Sequence, residues 1–353
     1  MLFNWEHRRR IRAGFIGAGG HSFRNIYPCF QYTPVELVAV CDHHPEKASA
    51  YARLFGAERW YDDHREMLAK EQLDAVFISV NFDEQGRPRY PLLAIEAMQA
   101  GCHVWIEKPP ASSTTEIRQM QAVSEQTGKV VLVGFKKCFM PSHDKVKQII
   151  ARPEFGEATS SYYRYPLSLP TLAERHDPRR FRDIVHPASA LHYLLGPLAS
   201  LTYEQHDVTG GVAATLRFRS GAIGVLHLTA GQGGGPLERL EIIGNGANVV
   251  VDNDIRVIYY RKRPAEEYGR TPDYYSADEG AALYWEPEFS LGQLYNKALF
   301  LQGYVQQVDH FAQCVLENRA PARGGLGDAL EIMKWHEAFV ENPPGVKIDI
   351  PIG

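Results

Sequence analysis

Ile11 to Ser22 reads I-R-A-G-F-I-G-A-G-G-H-S, and the architecture of the chain turns on this run. An apolar stretch, Ile11 to Ile16, stops at Gly17-Ala18-Gly19-Gly20. A buried strand that ends in a glycine loop and feeds a helix opens a dinucleotide-binding βαβ unit. The spacing Gly17-x-Gly19 lets the backbone approach a pyrophosphate, with amides at a helix start facing its charge. The third glycine of that pattern is here Ser22, which is small and can also cap a helix. A lone G-x-G is weak evidence, so the second strand and the residue that ends it have to agree with it.

They do. Val35 to Cys41 is a second apolar run and ends at Asp42, 25 residues after Gly17. A carboxylate there accepts hydrogen bonds from ribose hydroxyls and repels a 2′-phosphate, so NAD is the expected cofactor. His43 and His44 keep NADP open, because protonated imidazoles offset part of that repulsion. The other reading of Asp42 is a turn or capping aspartate. Pro45 to Leu54 is predicted helical, with Pro45 in the first turn. Asp74 to Val80 is predicted as a strand, and Leu92 to Ala100 as a helix stopped by Gly101. Cys102 to Ile106 is a further strand, Ser112 to Thr127 a helix before Gly128, and Val130 to Val133 the last strand. Strands alternating with helices predict a doubly wound parallel sheet over residues 1–136.

Within it, His103 to Pro110 reads H-V-W-I-E-K-P-P. The apolar run ends at Glu107 and Lys108, and two prolines forbid the strand to continue. Open α/β sheets bind ligands at the carboxyl ends of their strands, which makes Lys108 a candidate proton-transfer group. The stretch alone allows an ordinary surface lysine equally well.

Beyond Lys137 the alternation breaks, and residues 137–353 are predicted as an α+β domain. Ser142 to Ala151 is helical, Ala158 to Tyr165 a strand, and Ile184 to Leu195 a helix before Gly196-Pro197. Val212 to Phe218 with Ile223 to Leu228, and Leu240 to Ile243 with Val249 to Val251, flank Ser220-Gly221 and Asn245-Gly246, both hairpin turns. The result is a large, mostly antiparallel sheet with one open face that a second subunit could cover. Helices near 302–317 and 326–339 close the chain. Eight of eighteen tyrosines lie between Tyr259 and Tyr304. Sugar stacking, a subunit contact and a packed irregular loop all remain open for that segment.

The totals bound the function. A chain of 353 residues, 44% apolar and 23% charged, has the composition of a soluble globular protein with room for two cores. A net charge of −4 and a pI near 6.4 lend no support to nucleic-acid or anionic-membrane binding. Five scattered cysteines without a C-x-x-C pair argue against a disulfide framework and a structural zinc. A reducing cytoplasm is the expected compartment. Arg8, Arg9 and Arg10 precede no apolar segment long enough for a signal peptide or membrane span.

The chain resembles the Gfo/Idh/MocA oxidoreductases, the glucose–fructose oxidoreductase and inositol dehydrogenase superfamily. The likeness runs through the Gly17 loop, A-M-Q-A-G-C-H-V-W-I-E-K-P-P at Ala97 to Pro110 and H-P-A-S-A-L-H-Y-L-L-G at His186 to Gly196. It continues in E-R-L-E-I-I-G-N-G-A-N-V-V-V-D-N at Glu238 to Asn253. The resemblance implies a Rossmann domain, a C-terminal sheet that makes homodimers or homotetramers, a bound NAD(P) and a sugar-like or polyol substrate. It assigns Lys108 to substrate and nicotinamide ribose, with His186 beside it. The expected cofactor contacts are Gly17, Gly19, Gly20, His21, Asp42, His43, Asn81, Glu107 and Lys108. Some positions depart from the family. Arg182 stands where many members have an aspartate, with Asp183 next to it, and Ser189 replaces an acid. Asn81 opens a longer loop that brings Arg89 near an expected histidine, and Lys136 replaces an asparagine.

Oxidising a secondary alcohol requires a base for the hydroxyl proton, and enzymes bring lysines to a pKa of roughly 7–8 for such work by burial and neighbouring charge. Lys108 is the first candidate, His186 the second, and Asp183, three residues earlier, could orient the imidazole. Pro187 places a helix start nearby, so Asp183 or His186 could equally be a cap. Lys136, Arg164 and Arg182 are candidates for binding substrate hydroxyls or an acidic substituent. His176, Asp177, Asp183 and His186 could be mistaken for a metal site, but no metal is expected. The leading expectation is an NAD-dependent dehydrogenase of a sugar, sugar acid or cyclitol. A redox-assisted glycosidase on the same fold and a non-catalytic NAD-binding regulator are the alternatives.

Overall fold

The computed structural model describes residues 4, 6–171, 174, 181–235, 237–262, 281–288 and 296–352. The chain divides into two compact units, Met1–Phe139 with Gly303–Glu337, and Met140–Gln302 with Ala338–Gly353. The sequence places one boundary near 136 and gives everything beyond it to the second domain. In the structure, residues 303–337 return to the first unit.

The first unit begins β1 (Ile11–Ile16), α1 (Gly20–Asn25), β2 (Val35–Cys41), α2 (Pro45–Phe55), β3 (Arg59–Tyr61) and α3 (His64–Lys70). It continues β4 (Ala75–Ile78), α4 (Tyr90–Gln99), β5 (His103–Ile106), α5 (Thr114–Thr127) and β6 (Val131–Val133). The six strands form one sheet in the order β3-β2-β1-β4-β5-β6, and every pair is parallel. The order reverses between β1 and β4, and a crevice opens at the carboxyl ends at such a reversal. All residues of β4 and β5 are buried, as strands covered on both faces must be. Phe15 stacks on Tyr27 with ring centroids 4.0 Å apart. Local signals set the helix ends. Pro45 starts α2 and Gly56 ends it at φ 79°, while the Ser113 side chain accepts the Glu116 amide to cap α5.

The second unit contains α6 (Pro141–Ile150), β7 (Ala158–Tyr165), α7 (Val185–Leu195), β8 (Leu198–Gln205), β9 (Val212–Phe218) and β10 (Ile223–Leu228). It adds β11 (Arg239–Gly244), β12 (Asn248–Asp252), β13 (Arg256–Tyr260), β14 (Leu283–Trp285) and α8 (Lys297–Leu301). After it, α9 (Tyr304–Glu317) and most of α10 (Leu326–Glu341) belong to the first unit, where Phe311 meets Phe77 edge-on at 5.3 Å. The closing β15 (Ile348–Asp349) pairs with β8.

The nine strands of the second sheet run β14-β13-β12-β11-β7-β10-β9-β8-β15. The central β7–β10 pair is parallel and the remaining pairs are antiparallel. Along β9 burial alternates strictly, with Val212, Ala214, Leu216 and Phe218 inward. Helices α6 and α7 pack on one side. On the other, Ile223 is 55% exposed and Ile243 40%. Among the described residues no helix is long and apolar enough to cross a membrane. Most of the tyrosine-rich segment, residues 263–280 and 289–295, lies outside the described residues.

Candidate active site

The glycine loop is built to leave backbone facing outward. Gly17 adopts φ 117°, and a Cβ on it would stand 2.0 Å from the Ser79 carbonyl oxygen, so the fold itself demands glycine there. Gly19 differs. It has ordinary extended geometry, φ −104° and ψ 165°, and a Cβ on it would meet nothing within 4 Å. The fold does not need that glycine, and its absent side chain leaves the backbone open to a ligand's approach. Ser22, buried where a third glycine was expected, lies 3.2 Å from Gly19 N, 2.9 Å from Gly19 O and 3.3 Å from Gly17 O. The Tyr27 hydroxyl donates to Gly17 O at 3.1 Å and that of Tyr51 to Gly19 O at 3.2 Å. Burial, then the nearby Tyr51 and Asp42, hold the Tyr27 phenol well above its ordinary range, so it stays a donor. Helix α1 has only six residues, which leaves the loop amides, rather than a long helix dipole, to meet an anion.

Asp42 serves the same loop. Its Oδ2 accepts the Ala18 amide at 2.7 Å and its Oδ1 the His44 amide at 3.0 Å. Each carboxylate oxygen has a second acceptor site left for a ribose hydroxyl. Gly17, Ala18, Gly19, Asp42, His43 and Asn81 line one crevice of about 980 Å³. The longer loop from Asn81 to Arg89 forms another part of its wall, held by Arg87 donating to Asp83 at 2.9 Å. His43 Nδ1 is 3.5 Å from Asp42 Oδ1, and its ring lies 4.0 Å from that of His44. Asp42, His43 and His44 each bring one potential metal-ligand atom within 4.8 Å of the others. The Asp42 oxygens already accept two backbone amides, and both histidines are exposed.

Gly20, His21, Glu107 and Lys108 stand apart from the lining of that crevice. His21, Glu107 and Lys108 are joined to one another instead. The buried Glu107 receives the Lys108 amide on Oε2 at 2.9 Å, and His21 Nε2 lies 3.0 Å from Oε1. The His21 ring is 6.2 Å from that of Tyr304, over which Lys136 Nζ stands at 5.3 Å.

In the second unit, Asp183 lies in the turn before α7 and His186 in its first turn. His186 Nε2 is 3.9 Å from Asp183 Oδ1, beyond hydrogen-bond distance, and Arg182 Nε is 3.7 Å from Asp183 Oδ2. The N-cap of α7 is Ile184, which lies between Asp183 and His186. Arg164 sits on β7, cross-strand from His227 on β10 and Arg239 on β11. His176 and Asp177 lie outside the described residues.

Sequence reasoning missed Tyr27, Tyr51 and Gly134. The two tyrosines reach the loop from 10 and 32 residues away, and no periodicity announces such bonds. The one signal for Gly134 was its place at the end of a strand without a turn to justify it.

A parallel sheet of this order, with a glycine loop after β1, a carboxylate after β2 and a lysine after β5, defines a dinucleotide-binding oxidoreductase. Residues 11–135 match the model of the GFO_IDH_MocA oxidoreductase family, described as an NAD-binding Rossmann fold. These residues carry the NAD-binding Rossmann fold of the Gfo/Idh/MocA family. The chain is 24% identical over 331 residues to scyllo-inositol 2-dehydrogenase (NAD(+)) of Bacillus subtilis, covering 90% of this chain and 89% of that one. An Agrobacterium radiobacter oxidoreductase solved with NAD+, L-tartaric acid and magnesium superposes with a TM-score of 0.78 at 16% identity, over 97% of this chain and 98% of the other. Levoglucosan dehydrogenase, solved with NADH and L-sorbose, gives 0.75 at 20% identity over 97% and 99%. At these identities the two solved structures speak for the fold.

Proposed function

We propose that the chain is an NAD-dependent dehydrogenase of a sugar, sugar acid or cyclitol, in which Lys108 exchanges a proton with the substrate hydroxyl. One observation carries the reading. Gly19 faces open space at the carboxyl edge of the parallel sheet, and Lys108 follows β5, two residues past Ile106, at that same edge. A backbone cradle for a dinucleotide and a basic side chain at strand ends along one edge of a sheet are what hydride transfer from an alcohol needs. A relative named for inositol dehydrogenation, matching along most of the chain, supports the substrate class.

Bound NAD supplies the hydride acceptor. The residues that would hold it are Gly17 and Gly19 through the loop backbone, Asp42 through the ribose hydroxyls, and His43 and Asn81 along the crevice. Gly20, His21 and Glu107 belong to the same proposed cofactor set, and Glu107 positions Lys108. Lys108 takes the hydroxyl proton. His186, with Asp183 three residues before it, is proposed to pass a proton to solvent. Lys136, Arg164 and Arg182 are proposed to bind hydroxyls or an acidic substituent. The exposed Ile223, Val225 and Ile243 on one sheet face support assembly as a homodimer or homotetramer. Five buried cysteines, none in a disulfide, support a reducing cytoplasm.

The test is a turnover screen of sugars, sugar acids, inositols and aryl glycosides with NAD, scored for NADH and for aglycone release. Net NADH from a polyol or sugar is expected. Aglycone release without net NADH would overturn the reading, and a preference for NADP would overturn the role given to Asp42.

A further inference from the structure

We infer that His21 is a positioning residue for Lys108, acting through the carboxylate of Glu107. The inference rests on the proton-exchanging role proposed for Lys108 and concerns what holds that lysine in place. Glu107 is 4% exposed, so its charge depends on the few donors around it. Its Oε2 takes the backbone N–H of Lys108 at 2.9 Å, and its Oε1 faces His21 Nε2 at 3.0 Å. Asn25 Nδ2 stands 3.2 Å from His21 Nδ1. An amide donating to Nδ1 leaves the imidazole hydrogen on Nε2, where it points at Glu107. With that tautomer the chain runs from Asn25 through His21 and Glu107 to the Lys108 amide.

The third side is closed by Gly134. A Cβ there would stand 3.2 Å from Glu107 Oε1, 3.3 Å from its Cδ and 3.0 Å from Trp105 Cζ2. Glycine at that position leaves the carboxylate just enough room. Helix α1 grows directly out of the glycine loop, so the loop that meets the dinucleotide and the lysine after β5 are tied through one buried carboxylate. Cutting the tie leaves Lys108 chemically intact but loosens its position. A displacement of about 1 Å in a reacting group can cost up to about 100-fold in rate.

The experiment compares wild type with His21→Leu, which removes the donor, and His21→Gln, whose amide nitrogen can still reach Glu107. Three quantities are read: the acylation rate of Lys108 in the cofactor-free protein by mass spectrometry, NADH affinity by fluorescence titration, and kcat with KM on the substrate found by the screen. His21→Leu is expected to change Lys108 acylation about threefold or more and lower kcat about 10- to 100-fold, with KM within about threefold and NADH affinity lowered by less than kcat. His21→Gln is expected to restore both acylation and kcat. Gly134→Ala, which presses the same carboxylate with His21 intact, is expected to reproduce the acylation change and keeps the test open if His21→Leu is insoluble. Unchanged acylation in His21→Leu or in Gly134→Ala, or a His21→Gln variant as impaired as His21→Leu, overturns the inference. Wild type that neither binds NADH nor turns over a polyol overturns the proposed function instead, while cofactor-free acylation still decides the role of His21.

Discussion

Asp42 Oδ2 accepts the Ala18 amide at 2.7 Å, so the acid that ends β2 also braces the glycine loop that follows β1. Its other oxygen takes the His44 amide at 3.0 Å. An asparagine has one acceptor oxygen and must lose one of these bonds whichever way it turns. Asp42→Asn is expected to weaken NADH binding about tenfold and to narrow the preference over NADPH. Parallel fluorescence titrations with both nucleotides check this, and unchanged affinities would count against it.

Gly17 and Gly19 look alike in the sequence and are not alike in space. Gly17→Ala forces a Cβ onto the Ser79 carbonyl at a left-handed φ and is expected to destabilise the protein by about 1–3 kcal/mol or more. Gly19→Ala meets no atom and keeps an allowed backbone, so its stability should stay within about 1 kcal/mol of wild type. Its NADH binding should nevertheless be severely weakened. Denaturation midpoints and NADH titrations on both variants separate the two roles.

This contrast also marks how far the sequence could be read. The inner strands of the first sheet were legible because burial on both faces leaves uninterrupted apolar runs, as in Ala75–Ile78 and His103–Ile106. β3 was not, since Arg59 and Trp60 are exposed and its three residues carry no pattern. In the second sheet the hairpin turns announced local pairs, but nothing local announces that β7 lies parallel to β10 some sixty residues on. The candidate residues could be named from motifs, whereas their partners could not. His21 meets Glu107 across 86 positions, and Ala18 meets Asp42 across 24. Such bonds are made by the sheet order, which only the folded chain supplies.

At 3.9 Å, Asp183 Oδ1 is too far from His186 Nε2 for a hydrogen bond. Asp183→Asn is therefore expected to lower kcat by no more than about fivefold, while His186→Ala lowers it by about 100-fold as loss of a proton-transfer group does. Steady-state kinetics on the two variants checks this. Equal, large losses would mean that the pair tightens on substrate.

His336 on α10 is 4% exposed, and burial lowers its pKa to about 4. Above the unfolded value near 6.5, neither state binds the proton and the stability is complete. As pH falls from there toward 4, the unfolded chain takes up a proton that the folded chain does not, and stability is lost. The loss reaches about 2 kcal/mol at pH 5. His336→Phe removes this contribution, so urea midpoints at pH 7 and pH 5 should differ less in the variant than in wild type.

In the proposed reaction Lys108 exchanges the substrate proton during NAD-dependent oxidation, and every other assigned role is built around that step. Its most direct test is the rate of NADH formation by Lys108→Ala at saturating substrate, taken together with NADH affinity on the same preparation. The expected result is a fall of about 10²- to 10⁴-fold in rate with NADH affinity within a few-fold of wild type. Turnover within a few-fold of wild type would contradict it.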